Sequence, residues 1–170
     1  MNLDATALVW QCWTLADVIA YRRDTASTQQ IAQHLLLCDA HFVPALSSRV
    51  HIGEYAEKIT HRALRFEAWS DQSLVGLVAA YANDWVGRIA FITSVSVLSD
   101  WTGRGVGTQL VRDCVRYAKL IHFRRINLEV GVGQRVAIRL YEGCGFSAEE
   151  AHGALLGMHL GLEGESDERA

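Results

Sequence analysis

Residues 101–110 of the sequence read Trp101-Thr-Gly-Arg-Gly-Val-Gly-Thr-Gln-Leu110. Three glycines, Gly103, Gly105 and Gly107, follow an apolar segment and precede an amphipathic one, which predicts a strand, a tight turn and a helix. Glycine lets the backbone turn without a Cβ in the way, and the first turn of a helix offers unpaired N–H groups at its positive dipole end. The segment is therefore either a structural corner or a binding site for phosphate oxygens, and the flanking sequence has to distinguish the two.

The segments on either side of this turn are the clearest elements of the chain. Apolar residues between Val106 and Ile121 recur with a period of 3.6 residues, which predicts a long amphipathic helix. Before the turn, three apolar runs separated by turn-forming residues predict an antiparallel meander whose third strand is central in the sheet. The three predicted strands are 64–69, 74–81 and 88–98.

The remaining segments complete the predicted order of elements. After the long helix, the pattern predicts a strand at 125–131, a helix at 132–142 that ends at a glycine cap, and a last strand at 154–162. The inward residues of that helix are expected to be Val136, Ala137, Leu140 and Tyr141.

The N-terminal part of the chain is less readable. Helical spacing predicts helices at about 27–38 and 53–63, and the loop between them either forms the wall of a binding cleft or only connects them. The segment 7–20 stays undecided between an edge strand followed by a short helix and other arrangements.

Composition limits the class of protein. The chain has 170 residues, of which 50% are hydrophobic and 21% charged, so we expect one globular domain over 1–163 and a frayed polar tail over 164–170. A net charge of −3 without clustered Lys and Arg argues against a nucleic-acid partner. No signal peptide and no apolar run of ~20 residues is present, so we expect a soluble, cytoplasmic protein without membrane association.

The cysteines and histidines give no metal-site pattern. Cys12, Cys38, Cys114 and Cys144 have apolar neighbours and no C-x-x-C spacing, so reduced thiols are expected ahead of disulfides or a metal site. The seven histidines form no H-x-x-x-H pair. A metal cofactor is therefore not predicted.

Three motifs occur in order after the meander: Thr-Gly-Arg-Gly-Val-Gly at 102–107, Leu-Glu-Val at 128–130, and Ala-Ile-Arg-Leu-Tyr-Glu-Gly-Cys-Gly-Phe at 137–146. Together they resemble the GNAT superfamily of acyl-CoA-dependent N-acetyltransferases. The resemblance covers 89–146 in motif and extends back to residue 64 in strand pattern. It implies an α/β fold (α+β, three-layer) with a mixed, mostly antiparallel sheet of about six to seven strands and helices on both faces.

The resemblance also implies where acetyl-CoA binds. The turn would cradle the coenzyme A pyrophosphate through Thr102, Gly103, Arg104, Gly105, Val106, Gly107 and Thr108. Thr102 departs from the family pattern, which has Gln or Arg at this position, and Arg104 would compensate. The preceding strand would splay from the next one and offer the backbone of Val95, Ser96 and Val97 to pantetheine. The second signature adds Ala137 and Gln134, where the family has Asn.

Two residues are candidates for proton transfer. Tyr141 stands where family members commonly place the general acid that protonates the leaving thiolate, and the alternative is a core tyrosine. Glu129 lies twelve residues before it, as in members that resemble ribosomal-protein N-terminal acetyltransferases, where this Glu is a base. A water relay, a substrate anchor or a structural pair remain open for Glu129. Secondary candidates are Glu67, Tyr81 and Asp84.

The resemblance implies transfer of an acetyl group to a primary amine of a small molecule or peptide N-terminus, directly in a ternary complex. The alternative is a catalytically weak acyl-CoA-binding sensor or interaction module, which the departures at Thr102 and Gln134 favour. A nucleoside-triphosphate enzyme is excluded because no Lys-Ser or Lys-Thr follows the glycines. The sequence does not decide whether the protein forms a homodimer. An anionic amine is one acceptor to consider if four arginines lie near the cleft: Arg49, Arg62, Arg65 and Arg88.

Overall fold

The computed structural model describes residues 18–162, and within them the chain forms seven β-strands and four α-helices. The strands are β1 (Ile19–Arg23), β2 (Leu64–Ser70), β3 (Ser73–Asp84), β4 (Ile89–Val97), β5 (Arg125–Gly131), β6 (Ser147–His152) and β7 (Leu155–Gly161). The helices are α1 (Thr28–Leu37), α2 (Ile52–Arg62), α3 (Val106–Leu120) and α4 (Arg135–Gly143). The predicted tail and residues 7–17 of the undecided segment lie outside the described residues.

The strands form one sheet in the order β1-β2-β3-β4-β5-β7-β6. Every neighbouring pair is antiparallel except β4 and β5, which run parallel. Strands β2, β3 and β4 form the predicted meander, and β4 is the middle strand of the sheet. The predicted mixed, mostly antiparallel architecture is confirmed.

Hydrophobic cores lie on both faces of the sheet. On one face α3 and α4 bury Leu110 and Tyr141 in a core shared with β3, β4 and β5, and on the other α1 and α2 bury Ile31 and Ile59 against β2 and β3. Strand β3 is therefore covered on both sides. This explains why its sequence is a continuous run of apolar and small residues over 74–80, without the alternation of a half-exposed strand.

Local signals place the helix starts close to the predicted positions. Helix α1 begins after Ser27, whose hydroxyl accepts a hydrogen bond from the Gln30 N–H at 3.3 Å, while the Gln30 side chain accepts from the Ser27 N–H at 2.9 Å. This reciprocal pair is a capping box, which satisfies two N–H groups that the helix leaves unpaired. Helix α3 follows the glycines directly, as predicted.

Two predictions about the C-terminal part were wrong. Helix α4 begins three residues later than predicted, and Val136, expected to face inward, is 75% exposed. Val136 precedes the buried Tyr141 by five residues, which places it about 140° around the helix from the core. Strand β6 was not predicted, because all six of its residues are exposed and its sequence, Ser-Ala-Glu-Glu-Ala-His, has no apolar alternation.

Among the helices of residues 18–162, none is both long enough and apolar enough to cross a lipid bilayer.

Gly76 is a point of close approach between β3 and α3. A Cβ at this residue would lie 2.9 Å from Val106 Cγ1 and 3.0 Å from Leu110 Cδ1. We expect Gly76→Ala to lower the free energy of unfolding by about 1–3 kcal/mol, because the packed start of α3 has to shift. Urea denaturation measures the change. Gly161→Ala is the matched control in β7, where no heavy atom lies within 4 Å of the added Cβ, and an equal loss in both variants would contradict the packing argument.

Candidate active site

The glycine turn has the backbone conformation that its sequence predicts. Gly103 and Gly105 have φ values of +73° and +79°, and no heavy atom lies within 4 Å of a Cβ built at either position. Both glycines are therefore required by the left-handed backbone and not by lack of space. Gly105 is the N-cap residue of α3, and no side chain caps this helix. The first N–H groups of α3 have no intrahelical partners and lie at the positive end of the helix dipole, so they can bind an anion.

Gly107 has a different role, because it allows α3 to approach α4. A Cβ at Gly107 would lie 3.0 Å from Leu140 Cδ1 and 3.6 Å from Val97 Cγ2. The Cys144 thiol also lies 3.9 Å from the Thr108 carbonyl oxygen. The second signature motif thus packs directly beside the glycine turn.

The side chains of the turn make local contacts. The Thr102 hydroxyl donates to the Ser99 carbonyl at 2.7 Å, so it supports the turn from within. The Arg104 guanidinium stacks over the Trp101 ring at 4.8 Å from its centre. What the turn presents for binding is chiefly its backbone.

The parallel strands β4 and β5 part at their C-terminal ends. They pair only from Ile89 to Ile92 on β4, opposite Arg125 to Leu128 on β5. Beyond this point β4 continues along β3 alone through Val95, Ser96 and Val97, and β5 continues along β7 alone. The splay that the family resemblance implied is present, and it leaves one backbone edge of 95–97 without a partner strand among the described residues.

A β-bulge lies where the strands part. Ala80 pairs with Ile92 and Ala79 with Ser94, so Thr93 is an extra residue on β4. A bulge of this kind places two successive side chains on one face and bends the strand. The bend is located at the point where pairing with β5 ends.

Tyr141 lies on the α3 and α4 side of the sheet. Its side chain is 7% exposed, and its ring centre lies 6.0 Å from that of Phe146. Burial raises the pKa of Tyr141, so the phenol is protonated at neutral pH. Within residues 18–162 no group hydrogen-bonds to this hydroxyl, which leaves its proton available.

In the same helix Ala137 is half-buried, and Gln134 is the N-cap residue without a side-chain cap bond.

Glu129 lies on the opposite face of the sheet from Tyr141. Ile126, Leu128 and Val130 point into the core that contains Tyr141, and Glu129 alternates with them and is exposed. The structure therefore does not bring the two candidates together on one face. Their separation is set by the strict alternation of side chains along β5.

The secondary candidates have distinct environments. Glu67 is fully buried and accepts hydrogen bonds from the backbone N–H of Ala26 at 3.0 Å and from the Trp69 indole at 3.0 Å. It is a structural anchor that ties β2 to the segment before α1. Asp84 is the last residue of β3, and its carboxylate accepts from the Gly87 N–H of the following turn at 2.8 Å. Tyr81 is different, because its hydroxyl is buried and has no hydrogen-bond partner.

His34 is a buried polar residue that the sequence did not single out. Its Nδ1 lies 2.9 Å from the Leu74 carbonyl oxygen and its Nε2 lies 2.9 Å from the Ser96 hydroxyl. A carbonyl can only accept, so Nδ1 carries the proton and Nε2 accepts from Ser96. Burial lowers the pKa of His34, which keeps the ring neutral. The residue links α1 to β4 beside the parted strands.

The loop between α1 and α2 contacts the segment that precedes the glycine turn. The Nε2 atom of His41 lies 2.9 Å from the hydroxyl of Ser99, the residue whose carbonyl accepts from Thr102. The sequence did not decide whether this loop forms a cleft wall or only connects the two helices. In the structure it contacts the segment that leads into the glycine turn.

The cysteines with described surroundings are free thiols: Cys38, Cys114 and Cys144. Burial raises the pKa of Cys38 to about 11 and that of Cys114 to about 12, so neither is a thiolate at neutral pH. No group of three His, Cys, Asp or Glu side chains in residues 18–162 has the spacing to hold a metal ion.

A groove of about 360 Å³ lies between β1 and the C-terminal half of α3, lined by Tyr21, Arg23, Phe66, Arg116 and Tyr117 among others. None of the predicted site residues lines it. The parted strands and the glycine turn define the candidate site on chemical grounds.

A mixed sheet whose two parallel middle strands part beside a glycine turn at a helix start is the architecture of an acetyltransferase of the GNAT type. The model of the acetyltransferase (GNAT) family matches residues 28–146, more than half of the chain. The chain therefore belongs to the GNAT family.

Individual relatives agree with this assignment. An uncharacterised N-acetyltransferase of Methanocaldococcus jannaschii is 38% identical over 81 residues, which are 45% of this chain and 35% of that protein. The chain thus spans about a third of that relative's length. The ribosomal-protein-S18-alanine N-acetyltransferase of Escherichia coli has a TM-score of 0.69 at 16% identity, covering 90% of this chain and 99% of that one. A Bacillus subtilis acetyltransferase in complex with CoA has a TM-score of 0.67 at 18% identity, covering 86% and 100%.

The neutral, buried His34 makes stability depend on pH. In the unfolded chain His34 has its ordinary pKa of about 6.5. Below that pH the unfolded chain therefore binds a proton at His34 that the folded protein does not yet bind. We expect its stabilising contribution to be complete above about pH 6.5 and to be lost as pH falls toward the lower folded-state pKa. Melting temperatures measured between about pH 7.5 and pH 5.5 should fall more in the wild type than in His34→Gln.

The control for this experiment is His61→Gln, because His61 is an exposed histidine on α2. This variant should keep the acid dependence of the wild type. An acid dependence that persists unchanged in His34→Gln would contradict the assignment of a neutral buried ring.

Proposed function

We propose that the protein is an N-acetyltransferase that moves an acetyl group from acetyl-CoA to a primary amine of a small molecule or a peptide N-terminus, by direct transfer in a ternary complex. The observation that carries the proposal is the wedge between β4 and β5, which opens beside the glycine turn. Ligands of open sheets with parallel strands bind at the carboxyl ends of such strands, where both α3 and α4 begin.

The wedge and the turn fit the two parts of coenzyme A. The backbone N–H groups between Gly103 and Thr108 would bind the pyrophosphate, since they combine a left-handed turn with a helix start. The unpaired edge of 95–97 would hydrogen-bond the amide groups of pantetheine as a further strand would. The B. subtilis relative of the same fold is described in complex with CoA, which supports this assignment.

The reaction joins the amine nitrogen to the carbonyl carbon of the thioester and breaks its carbon–sulfur bond. Attack needs a neutral amine, and an alkylammonium ordinarily titrates near ~10, so a base or water must take one proton. Backbone N–H groups of β4 beyond the bulge at Thr93 would hydrogen-bond the carbonyl oxygen as negative charge develops there. Tyr141 would donate to the sulfur as it leaves.

The raised pKa of Tyr141 defines how it would act. A thiol ordinarily has a pKa of about 8.5, well below that of this buried phenol. Complete proton transfer would leave an unfavourable tyrosinate in the core, so Tyr141 stabilises the departing thiolate chiefly as a hydrogen-bond donor. Its proton moves only as charge builds on the sulfur.

The base is the less defined part of the site. Glu129 is exposed to solvent and lies on the other face of the sheet from Tyr141. An exposed carboxylate is a weak base at neutral pH, which favours removal of the amine proton through water over direct abstraction by Glu129.

Calorimetry with acetyl-CoA, followed by a free-thiol release assay over a panel of amines, tests the proposed function. We expect binding and also thiol release with at least one amine. Binding without release for any amine would favour the alternative of a weak acyl-CoA-binding sensor. The Thr102 hydroxyl supports that alternative, because it already donates to the Ser99 carbonyl. Absence of binding would overturn both.

Tyr141→Phe isolates the hydroxyl, since it keeps the ring that packs on Phe146. We expect kcat to fall about 100-fold or more, the size of a general-acid contribution, while the affinity for acetyl-CoA stays within about twofold. Thiol release and calorimetry measure the two quantities. Tyr117→Phe, whose ring packs on Phe66 at the same face of the sheet, is the control and should keep the wild-type rate. An unchanged rate in Tyr141→Phe would remove its role as donor.

A further inference from the structure

Three hydroxyl groups meet on the α2 face of the sheet, at the bulge where β4 and β5 part. They belong to Tyr55, Tyr81 and Ser94, and we call them the hydroxyl cluster. The Tyr55 hydroxyl donates to the Thr93 carbonyl at 3.1 Å and lies 3.0 Å from the Thr93 hydroxyl. Tyr55 therefore holds the bulge from the α2 side.

The register of β3 and β4 places the other two members beside Tyr55. Ser94 pairs with Ala79, and Tyr81 follows Ala79 by two residues on β3, so the side chains of Ser94 and Tyr81 share a face. Tyr55 and Tyr81 both pack against the core on the α1 and α2 side. The pKa of Tyr55, raised by burial, is also influenced by Tyr81 and Ser94, as expected for close neighbours.

Two members of the cluster have unused hydrogen-bonding capacity. Among residues 18–162 the buried Tyr81 hydroxyl has no hydrogen-bond partner, and the buried Ser94 hydroxyl lies beside that of Tyr55. A buried polar group without a partner is costly to the folded state, which favours a polar ligand atom beside the Tyr81 hydroxyl. Both hydroxyls can accept hydrogen bonds, which matches a ligand with N–H groups.

Two cations accompany the cluster. The Lys58 ammonium lies 5.5 Å from the centre of the Tyr81 ring, and Lys58 is one helical turn from Tyr55 on α2. The positive charge of Arg49 also acts on Tyr55. Among residues 18–162 no carboxylate lies within ion-pairing distance of Lys58 or Arg49. By contrast, the buried Arg65 is already paired with Asp24 and Glu67.

We propose that the hydroxyl cluster binds the amine of the acetyl acceptor, and that the acceptor also carries a carboxylate, which Lys58 and Arg49 bind. The inference rests on the proposed function and names its substrate class: amino acids or closely similar amino carboxylates. The cations serve a second purpose, since a positive charge beside an amine favours its neutral, nucleophilic form. The released proton passes to water at the cluster.

Free-thiol release with amino acids, each compared with its own carboxamide, tests the substrate class. Removing the charge while keeping the amine should lower kcat/KM about 10-fold or more, the effect of losing one charge-assisted contact. Lys58→Gln should reduce this preference for the acid over the amide. Lys119→Gln, an exposed lysine on α3, is the matched control and should keep it.

Tyr81→Phe and Ser94→Ala test the role of the cluster. Each should raise the KM for the amine about 5-fold and leave the affinity for acetyl-CoA unchanged. Tyr81→Phe should also be as stable as the wild type or more stable, because it removes a buried hydroxyl that has no partner among residues 18–162. A merely structural role predicts the reverse, with lost stability and an unchanged KM. Tyr21→Phe, on β1, is the control.

The outcomes separate this inference from the proposed function. Acetyl-CoA binding without thiol release for any amine would overturn the proposed function and the inference together. Thiol release in which carboxamides, simple amines or peptide amines equal or exceed the amino acids would overturn the inference alone. Unchanged amine KM values in both Tyr81→Phe and Ser94→Ala would overturn it as well.

Discussion

The arrangement of the site depends on one constraint, that β4 stops pairing with β5 after Ile92 while the sheet continues on both sides. Backbone groups in the middle of a sheet are ordinarily all paired, and leaving an edge open inside the molecule is costly. The structure compensates by fixing β4 from its other sides. Strand β3 pairs with it through Val97, Tyr55 bonds the Thr93 carbonyl, and His34 bonds the Ser96 hydroxyl. An edge held in this way is prepared to pair with a ligand.

The sheet also divides the chemistry between two faces. The glycine turn, α3 and α4 carry the parts that would bind the donor and hydrogen-bond its departing sulfur, and Tyr141 belongs to the core that they share. The face of α1 and α2 carries the hydroxyl cluster and the cations Lys58 and Arg49. The two faces meet where the strands part, which is therefore where a donor and an acceptor would meet. Glu67 has no part in this chemistry, because its carboxylate is engaged by the backbone before α1.

The sequence predicts the glycine turn and α3 well because both are specified by local rules. The glycines predict a left-handed turn and the 3.6-residue period predicts α3. Neither prediction requires knowing what packs against these segments. Strand β6 was missed because an exposed edge strand needs no apolar pattern. His34 was missed because its meaning lies in contacts with Leu74 and Ser96, forty and sixty-two residues away. Tyr81 was recognised as a candidate, but only the fold shows that its hydroxyl has no partner.

The single extra residue at Thr93 connects these two faces. Ala90 and Ile92 point toward α3, and strict alternation would turn Ser94 and Ser96 the same way and Val95 and Val97 toward α1 and α2. The bulge reverses this order. Val95 and Val97 pack with the α3 core, whereas Ser96 bonds His34 and Ser94 joins Tyr55 on the other side. One inserted residue thus gives the α3 and α4 face an apolar lining and the α1 and α2 face its hydroxyls, and it does so at the point where the backbone is left open.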